Sequence, residues 1–290
     1  MSEINGVMVA FSYGCIAGSK RDGVITKEIT ESKKAGDDAG TWSNKLFPAS
    51  TCQKRNTFTE LRRHLGQMRQ FHYENTYIFE DEMWRILPEK RSDAYREIVE
   101  VGGKARALEL LENFIADLPN LIDLARLARG DAFKESDYPT VEEIRAKFSY
   151  SVSYRPLPTH AGLDPVKYEA AINEIKALHA RRLQEANQAL IERFMKPFQN
   201  LAEQLAEPGH RKLKPVMESI AEFVDLVPSL DLSNNQELQA LALQVKQQFA
   251  SITPDMIRKD EEVQKFVGNT ASTVIAALQG FGAAGQRKFA

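Results

Sequence analysis

The longest helical pattern in the chain lies between Asp164 and Pro208, and it places the strongest constraint on the fold. Asp164-Pro165 has the form of a helix N-terminus, and Pro208-Gly209 ends the pattern. Apolar side chains recur between them at three- and four-residue steps, at Ile172, Ile175, Leu178, Ala186, Leu190, Phe194, Leu201 and Leu205. A continuous helix over this stretch is roughly 60 Å long, with a kink expected at Pro197. A compact core alone does not cover such a helix, so a long partner helix is expected.

The segment from Cys52 to Leu87 is the predicted partner. Phe58, Leu61, Leu65, Met68, His72 and Ile78/Phe79 also recur at three- and four-residue steps, while charges occupy the other face. Pro88 ends this pattern. Antiparallel packing of the two segments predicts a coiled-coil-like arm.

Shorter helices are predicted between these two segments. One spans Ser92–Leu118, where the pair Gly102-Gly103 marks a kink, a break or a close helix contact. Pro119 is expected to begin another helix that ends near Gly130. Thr140-Val-Glu-Glu143 has the form of a capping box and predicts one more short helix.

The last eighty residues predict three helices. The first spans Leu213–Val227, the second follows the cap Ser233–Gln236, and the third follows Thr253-Pro254. The tail, Gly280–Ala290, consists mainly of small residues and ends basic, which favours a flexible terminus.

Period-two patterns predict a small sheet. From Phe148 to Arg155, aromatic residues or Val alternate with Ser or Arg, and prolines end the run. Val7–Cys15 alternates in the same way, and Val24–Thr30 is β-branched and alternates with charge, so the N-terminus is predicted to be a β-hairpin that pairs with the later strand. Residues 33–50 are predicted to form a structured loop.

Three apolar side chains of that loop, Trp42, Leu46 and Phe47, are expected to bury against the body of the protein. The predicted fold class is therefore α+β, mainly α, with a long antiparallel helical arm, a small sheet and a C-terminal helical bundle. The predicted domains are 1–50 (hairpin and loop), 51–206 (arm with the inserted strand near 148–155) and 207–290 (C-terminal helices and tail).

Charge and composition exclude some functional classes. Lys and Arg number 38 against 40 Asp and Glu, which argues against coating of nucleic acid by bulk positive charge but leaves a local basic surface open. No apolar run approaches the roughly 20 residues of a membrane span. The residues before the apolar run 7–16 include Glu3 and no cation, which argues against a signal peptide. With only two cysteines, the chain is expected to reside in the cytoplasm.

A search for catalytic and metal-binding patterns predicts neither. The five histidines are scattered, and the metal-binding spacings H-x-x-x-H, C-x-x-C and H-E-x-x-H do not occur. No G-x-S-x-G or comparable nucleophile motif occurs either. We therefore predict a non-enzymatic protein with no cofactor and no metal. A hydrolase whose carboxylates or histidines only the fold brings together is kept as a less favoured hypothesis.

Two features favour nucleic-acid binding. Between Lys54 and Arg69 the chain carries five cations against the single acid Glu60, and a basic stripe of this kind suits phosphates. Tyr150 and Tyr154 share one face of the later strand, where exposed rings stack bases in single-strand binders. The candidate binding residues are Lys54, Arg55, Arg62, Arg63, Arg69, Tyr150, Tyr154, Arg155, Arg181 and Arg182.

Each of these features also has an ordinary structural interpretation. A charged helix face is usually just solvated, and a strand with aromatic residues on one side usually packs that side into the core.

The order of features resembles an uncharacterised family encoded by bacteriophages and integrative elements. The features that carry the resemblance are the N-terminal hairpin, the Trp42 loop with Lys45-Leu46-Phe47, the Arg62-Arg63 helix, and the Glu142-x-x-Arg145-x-x-Phe148 run into the later strand. They cover residues 1–205. The family's genes are often found among recombination genes and near MoxR-type AAA ATPases, which implies a bacterial host cell but supplies no activity.

Two functional hypotheses follow. The first is an oligomeric protein that binds single-stranded DNA in phage replication or recombination. The alternative is a protein–protein interaction module, either an adaptor for an AAA ATPase or an inhibitor of a host defence complex. Self-association is expected in both cases, because long amphipathic helices expose more apolar surface than a two-helix arm covers.

Overall fold

The computed structural model describes residues 4–34, 36, 40–48, 56–206 and 212–287, with side chains described as far as Phe281. It is mainly helical with a small antiparallel sheet, which confirms the predicted α+β, mainly α class. The helices are α1 Gly23–Lys33, α2 Thr57–Glu74, α3 Ser92–Tyr95, α4 Lys104–Arg129, α5 Val141–Lys147, α6 Glu169–Ala206, α7 Leu213–Leu230, α8 Gln236–Phe249, α9 Pro254–Lys259 and α10 Glu261–Arg287. The strands are β1 Gly6–Gly14, β2 Ser19–Arg21, β3 Ser43–Lys45, β4 Tyr77–Ile78, β5 Arg85–Pro88 and β6 Ser149–Arg155.

The chain forms two compact units, and each is assembled from separate segments. The larger unit comprises Met1–Val9, Asn75–Asp93 and Tyr154–Ala290. The smaller unit comprises Ala10–Glu74 and Ala94–Ser153.

The main sheet has the strand order β4-β5-β1-β6. β1 is antiparallel to β5, with Gly6 opposite Pro88 and Val9 opposite Arg85. The prediction that the later strand lies beside the N-terminal one is confirmed, because β6 neighbours β1. A separate two-stranded sheet pairs β2 with β3.

The predicted second strand of the hairpin is wrong, because Val24–Thr30 lies within helix α1. The Asp22 carboxylate caps this helix and accepts hydrogen bonds from the amides of its first turn at 3.1 and 3.2 Å. The hydroxyls of Thr26 and Thr30 donate to carbonyls four residues earlier. None of the residues of α1 is buried, so no hydrophobic core favours an alternating strand over the capped helix.

The predicted helix over 52–87 is also too long. Within the described residues, α2 ends at Glu74, and strands β4 and β5 follow it. The Asp81 carboxylate accepts from the amides of Met83 and Trp84 at 2.9 and 2.8 Å, which makes the tight turn between the strands. Phe79 is fully buried in the larger unit. Its apolar side chain is therefore explained by burial next to the β4–β5 hairpin and not by a continuing helix.

The predicted antiparallel arm is therefore wrong. In the larger unit α6 packs against α10 and α7, whereas in the smaller unit α2 packs against α4. The buried face of α6, including Leu190, Phe194 and Phe198, meets residues from the C-terminal helices such as Phe223 and Phe249. The length of α6 matches the prediction closely, but its partners come from the last eighty residues.

The Gly102-Gly103 pair lies in a π-helix, Arg96–Gly103, that leads into α4. Two of its carbonyl oxygens contact side chains outside the helix. The Tyr150 hydroxyl donates to the Val99 carbonyl at 2.6 Å, and the His64 ring Nε2 lies 2.8 Å from the Gly103 carbonyl oxygen. The bond from His64 requires the tautomer that is protonated at Nε2.

Helix α4 continues through Pro119, where the sequence predicted a new helix. Proline costs the helix one hydrogen bond. The neighbouring residues Leu118 and Leu121 are both buried in the core of the smaller unit, and this packing offsets the lost bond.

Three of the predicted caps agree with the structure, but Asp164-Pro165 is not the start of α6, which begins at Glu169. Thr140 and Glu143 form a full capping box at the start of α5, and Asn235 caps α8. Thr253 caps the short helix α9, and α10 follows it as a separate helix. The expectation of a flexible tail from Gly280 is wrong in part, because α10 extends to Arg287.

The predicted loop buries two of its three predicted side chains. Leu46 and Phe47 are buried, but the Trp42 side chain is 47% exposed. The Phe47 ring packs against Phe58 of α2 and Phe114 of α4, with ring centroids 4.7 and 5.2 Å away. This aromatic cluster holds β3 close to α2.

Candidate nucleic-acid interface

Three exposed arginines of α2 form the clearest basic feature of the smaller unit. They are Arg62, Arg63 and Arg69, and among the described residues none has a carboxylate within 4.0 Å. The Arg69 guanidinium lies over the Tyr13 ring at 4.4 Å, and that of Arg62 lies 5.9 Å from the Phe58 ring. Contact with a ring limits the motion of a guanidinium while its N–H groups remain able to donate to an anion.

The β2–β3 sheet adds two exposed cations to these three arginines. Arg21 lies opposite Ser43 and Lys45 lies opposite Ser19, and all four residues are exposed on one face. On the other face, the Lys20 ammonium lies 2.8 Å from the Asp137 carboxylate. Because side chains alternate between the two faces of a sheet, the paired Lys20 lies on one face. Arg21 and Lys45, which have no carboxylate partner within the described residues, lie on the other.

Close packing at Gly18 joins this sheet to α2. The Gly18 carbonyl accepts from the Leu46 amide at 2.9 Å, at the edge of the β2–β3 sheet. A Cβ atom at Gly18 would lie 2.6 Å from the Phe58 ring and 3.7 Å from a guanidinium nitrogen of Arg62. We name the five cations Arg21, Lys45, Arg62, Arg63 and Arg69 the basic surface.

Three other predicted arginines are paired with carboxylates, and they lie in the larger unit. Arg155 binds Glu80, and its guanidinium lies over the Trp84 ring at 3.9 Å. Arg181 and Arg182 both contact the Glu185 carboxylate, at 4.0 and 2.6 Å. Because each of them has a carboxylate partner, although Arg181 and Arg182 share one, we do not include them in the basic surface.

The two predicted tyrosines are placed differently. The Tyr150 hydroxyl is bound to Val99, its ring packs at 5.1 Å from that of Phe11, and burial raises the pKa of its phenol. Tyr150 therefore supports the π-helix and does not offer its ring for stacking. Tyr154 is 41% exposed.

Lys54 and Arg55, the first two predicted cations, lie outside the described residues. Cys52 and His210 also lie outside them.

The ring nitrogens of two histidines contact groups within their own unit. His72 Nδ1 lies 2.7 Å from the Tyr95 hydroxyl, and His179 Nε2 lies 2.9 Å from the Pro158 carbonyl oxygen. In the part of the chain that the structure describes, no three His, Cys, Asp or Glu side chains form a group suited to a metal ion.

Sequence reasoning missed Trp42, Arg21 and Lys45. Large aromatic side chains are usually buried, which favours a core position for Trp42. Its immediate neighbours are Thr41, Ser43 and Asn44, which are polar. This polar setting is the signal that would have indicated an exposed ring.

Comparisons of the chain with protein-family models, curated proteins and solved structures found no match. The resemblance to a phage-encoded family stays a prediction. Among the described residues, no helix is both long enough and apolar enough to cross a bilayer.

Proposed function

We propose that the protein binds single-stranded DNA through the basic surface of its smaller unit, as a non-enzymatic protein of phage or mobile-element replication or recombination. The observation that carries this proposal is that Arg62, Arg63 and Arg69 are exposed on one helix with no carboxylate partner among the described residues. A solvent-exposed helix face often carries ion pairs, and α4 does so through Arg106–Glu109 and Arg126–Asp123. The contrast between the two helices favours a polyanion as the ligand of α2. The expected location is the cytoplasm of a bacterial host.

Salt dependence tests this proposal directly. A labelled oligothymidine strand is expected to bind with an affinity that falls steeply as salt rises, because each phosphate contact releases counterions. Contacts from the five cations of the basic surface predict a slope of about −3.5 in log affinity against log salt, at about −0.7 per single-strand contact. Fluorescence anisotropy at several salt concentrations measures it. Binding that is absent, or tight and indifferent to salt, would contradict the proposal.

A groove in the larger unit supports a second candidate function, protein–protein interaction. An apolar cavity of about 440 Å³ lies between α7 and α8, and its lining includes Met217, Ala221 and Phe249. Its rim carries two lysines and two acids, paired as Lys214–Glu218 at 3.8 Å and Lys246–Asp225 at 2.7 Å. A second copy of this chain is the partner that a charge-balanced rim suits, because a symmetric contact must be complementary to itself.

Replacing Ala221 by glutamate is expected to disrupt this self-association. Ala221 is exposed, so the substitution leaves the core intact while it places a charge in the apolar groove. Light scattering after size exclusion should return the mass of a dimer for the native chain and of a monomer for the variant. Ala171→Glu, at an exposed alanine of α6, is the control and should remain dimeric. A native chain that is monomeric at tens of micromolar would rule out the second candidate.

A further inference from the structure

Trp42 is a large aromatic side chain that is exposed and yet held in a fixed position. Its amide donates to the Thr26 hydroxyl at 2.9 Å, and its carbonyl accepts from the Asp22 amide at 3.0 Å. The indole Nε1–H donates to Asn44 Oδ1 at 3.0 Å, and the Asn44 amide in turn donates to the Asp22 carboxylate at 3.1 Å. Three hydrogen bonds thus fix both the backbone and the ring.

Asp22 holds this arrangement together. Its carboxylate accepts from the Ile25 and Val24 amides as well as from Asn44, and these bonds lower its pKa. The carboxylate charge is therefore already satisfied by the cap of α1 and by Asn44, which limits its repulsion of an approaching anion. At neutral pH the cap that orients Trp42 is fully formed.

A cavity of about 330 Å³ lies beside the indole ring. Its walls include Ile29, Thr30 and Lys33 of α1 on one side and Trp42 on the other. The Trp42 side chain is 47% exposed and forms part of the cavity wall, so part of its ring surface faces the cavity. The volume is at the lower end of the range of about 300–1,000 Å³ typical of small-molecule sites. It suits one or two flat rings and not a folded peptide.

One cation lines the cavity, and two others lie on the adjoining sheet. Lys33 forms part of its wall, and Trp42 directly precedes β3, the strand that carries Lys45 opposite β2 with Arg21. Arg21 and Lys45 belong to the basic surface. An apolar cavity next to cations matches a nucleobase joined to its phosphates, because the ring enters the cavity and the phosphates remain beside the cations.

We propose that this cavity holds one unpaired base of a nucleic-acid strand, stacked on the Trp42 indole. The inference rests on the proposed function and adds to it the element that distinguishes single strands from duplexes. In a duplex every base is paired and stacked within the helix, so it has no free face to place on Trp42. The phosphates of either form still contact the arginines.

Tryptophan fluorescence tests the proposal in the full chain. The chain has two tryptophans, Trp42 and Trp84, so Trp84→Phe leaves Trp42 as the sole reporter. Oligodeoxyadenosine is expected to quench its emission on binding, whereas an abasic strand of the same length should bind through its phosphates with little quenching. Trp42→Ala is expected to weaken binding of oligodeoxyadenosine roughly 5- to 100-fold, in line with the stacking of one base. Trp42→Phe should weaken binding less than Trp42→Ala does, because phenylalanine retains an aromatic ring.

The outcomes separate this inference from the proposed function. Salt-sensitive binding with no quenching, and with Trp42→Ala equal to the native chain, would overturn the stacking site while the basic surface stands. Quenching by free deoxyadenosine monophosphate, without salt-sensitive binding of any strand, would support the cavity and overturn the proposed function. If neither a strand nor the mononucleotide quenched the emission, the proposed stacking of a base on Trp42 would be wrong. Circular dichroism of each variant confirms that it is folded before binding is measured.

Discussion

Replacing Gly103 by alanine is expected to lower the free energy of unfolding by about 2–3 kcal/mol, in the range of overpacked cores. A Cβ atom at this position would lie 2.6 Å from the Met68 sulfur, 2.6 Å from the Tyr150 hydroxyl and 2.8 Å from the Ile98 carbonyl oxygen. Methionine can bend away, but the Ile98 carbonyl is backbone. If Tyr150 moved, the Val99 carbonyl would lose its hydrogen bond. Urea unfolding followed by circular dichroism measures the change.

Gly66→Ala is the matched control for this prediction. Gly66 lies inside α2, and a Cβ atom there would meet nothing within 4 Å. Alanine should therefore stabilise the helix by about 0.5–1 kcal/mol, as it usually does in place of glycine. Tyr150→Phe should cost about 1 kcal/mol through the lost bond to Val99. If both glycine variants changed the free energy of unfolding in the same direction, the inference that Gly103 is tightly packed would be wrong.

Replacing Arg62 and Arg63 together by glutamate is expected to reduce affinity for single-stranded DNA by roughly 100-fold at low salt. Two favourable contacts are lost and two carboxylates are placed against the phosphates. The slope of log affinity against log salt should become shallower by about 1.4, at about 0.7 per lost contact. Stability should change little, because both side chains are exposed and neither is ion-paired among the described residues. Anisotropy measured across a salt series gives affinity and slope together.

Arg106→Glu with Arg126→Glu is the matched control for charge. It changes the net charge by the same amount within the same unit, but these two arginines are paired with Glu109 and Asp123 on α4. We expect less than a threefold loss of affinity from this variant, arising from the long-range field alone. An equal loss from both double variants would show that net charge, and not the basic surface, governs binding.

Helices and caps with strong local signals were predicted well. The capping box Thr140–Glu143, the Asn235 cap and the alternation in β6 depend on residues close together in the chain, so the sequence contains their whole cause. The β2–β3 sheet and the exposure of Trp42 were not predicted. The sheet depends on packing between Gly18, Phe47 and Phe58, which lie far apart in the sequence. The polar neighbours of Trp42 were a local indication of its exposure.

The candidate site shows the same division. The concentration of arginines in α2 was visible in the sequence, because charge is a property of composition. Which arginines keep their charge available was visible only in part. Arg181 and Arg182 pair with a carboxylate three or four residues away, which helical spacing indicates, whereas Arg155 pairs with Glu80, seventy-five residues earlier. The role of Tyr150 depends on the Val99 carbonyl, fifty-one residues earlier in the chain.

Local sequence by itself determined a mainly helical chain, the starts of several of its helices and the one strongly alternating strand, because capping and side-chain periodicity act over a few residues. The tertiary structure alone decided that α6 packs with α7 and α10. It also decided that Trp42 lies beside a cavity. An apolar stripe specifies that a helix face will be buried but not which surface will cover it, since hydrophobic burial is non-directional and only the assembled fold selects the partner.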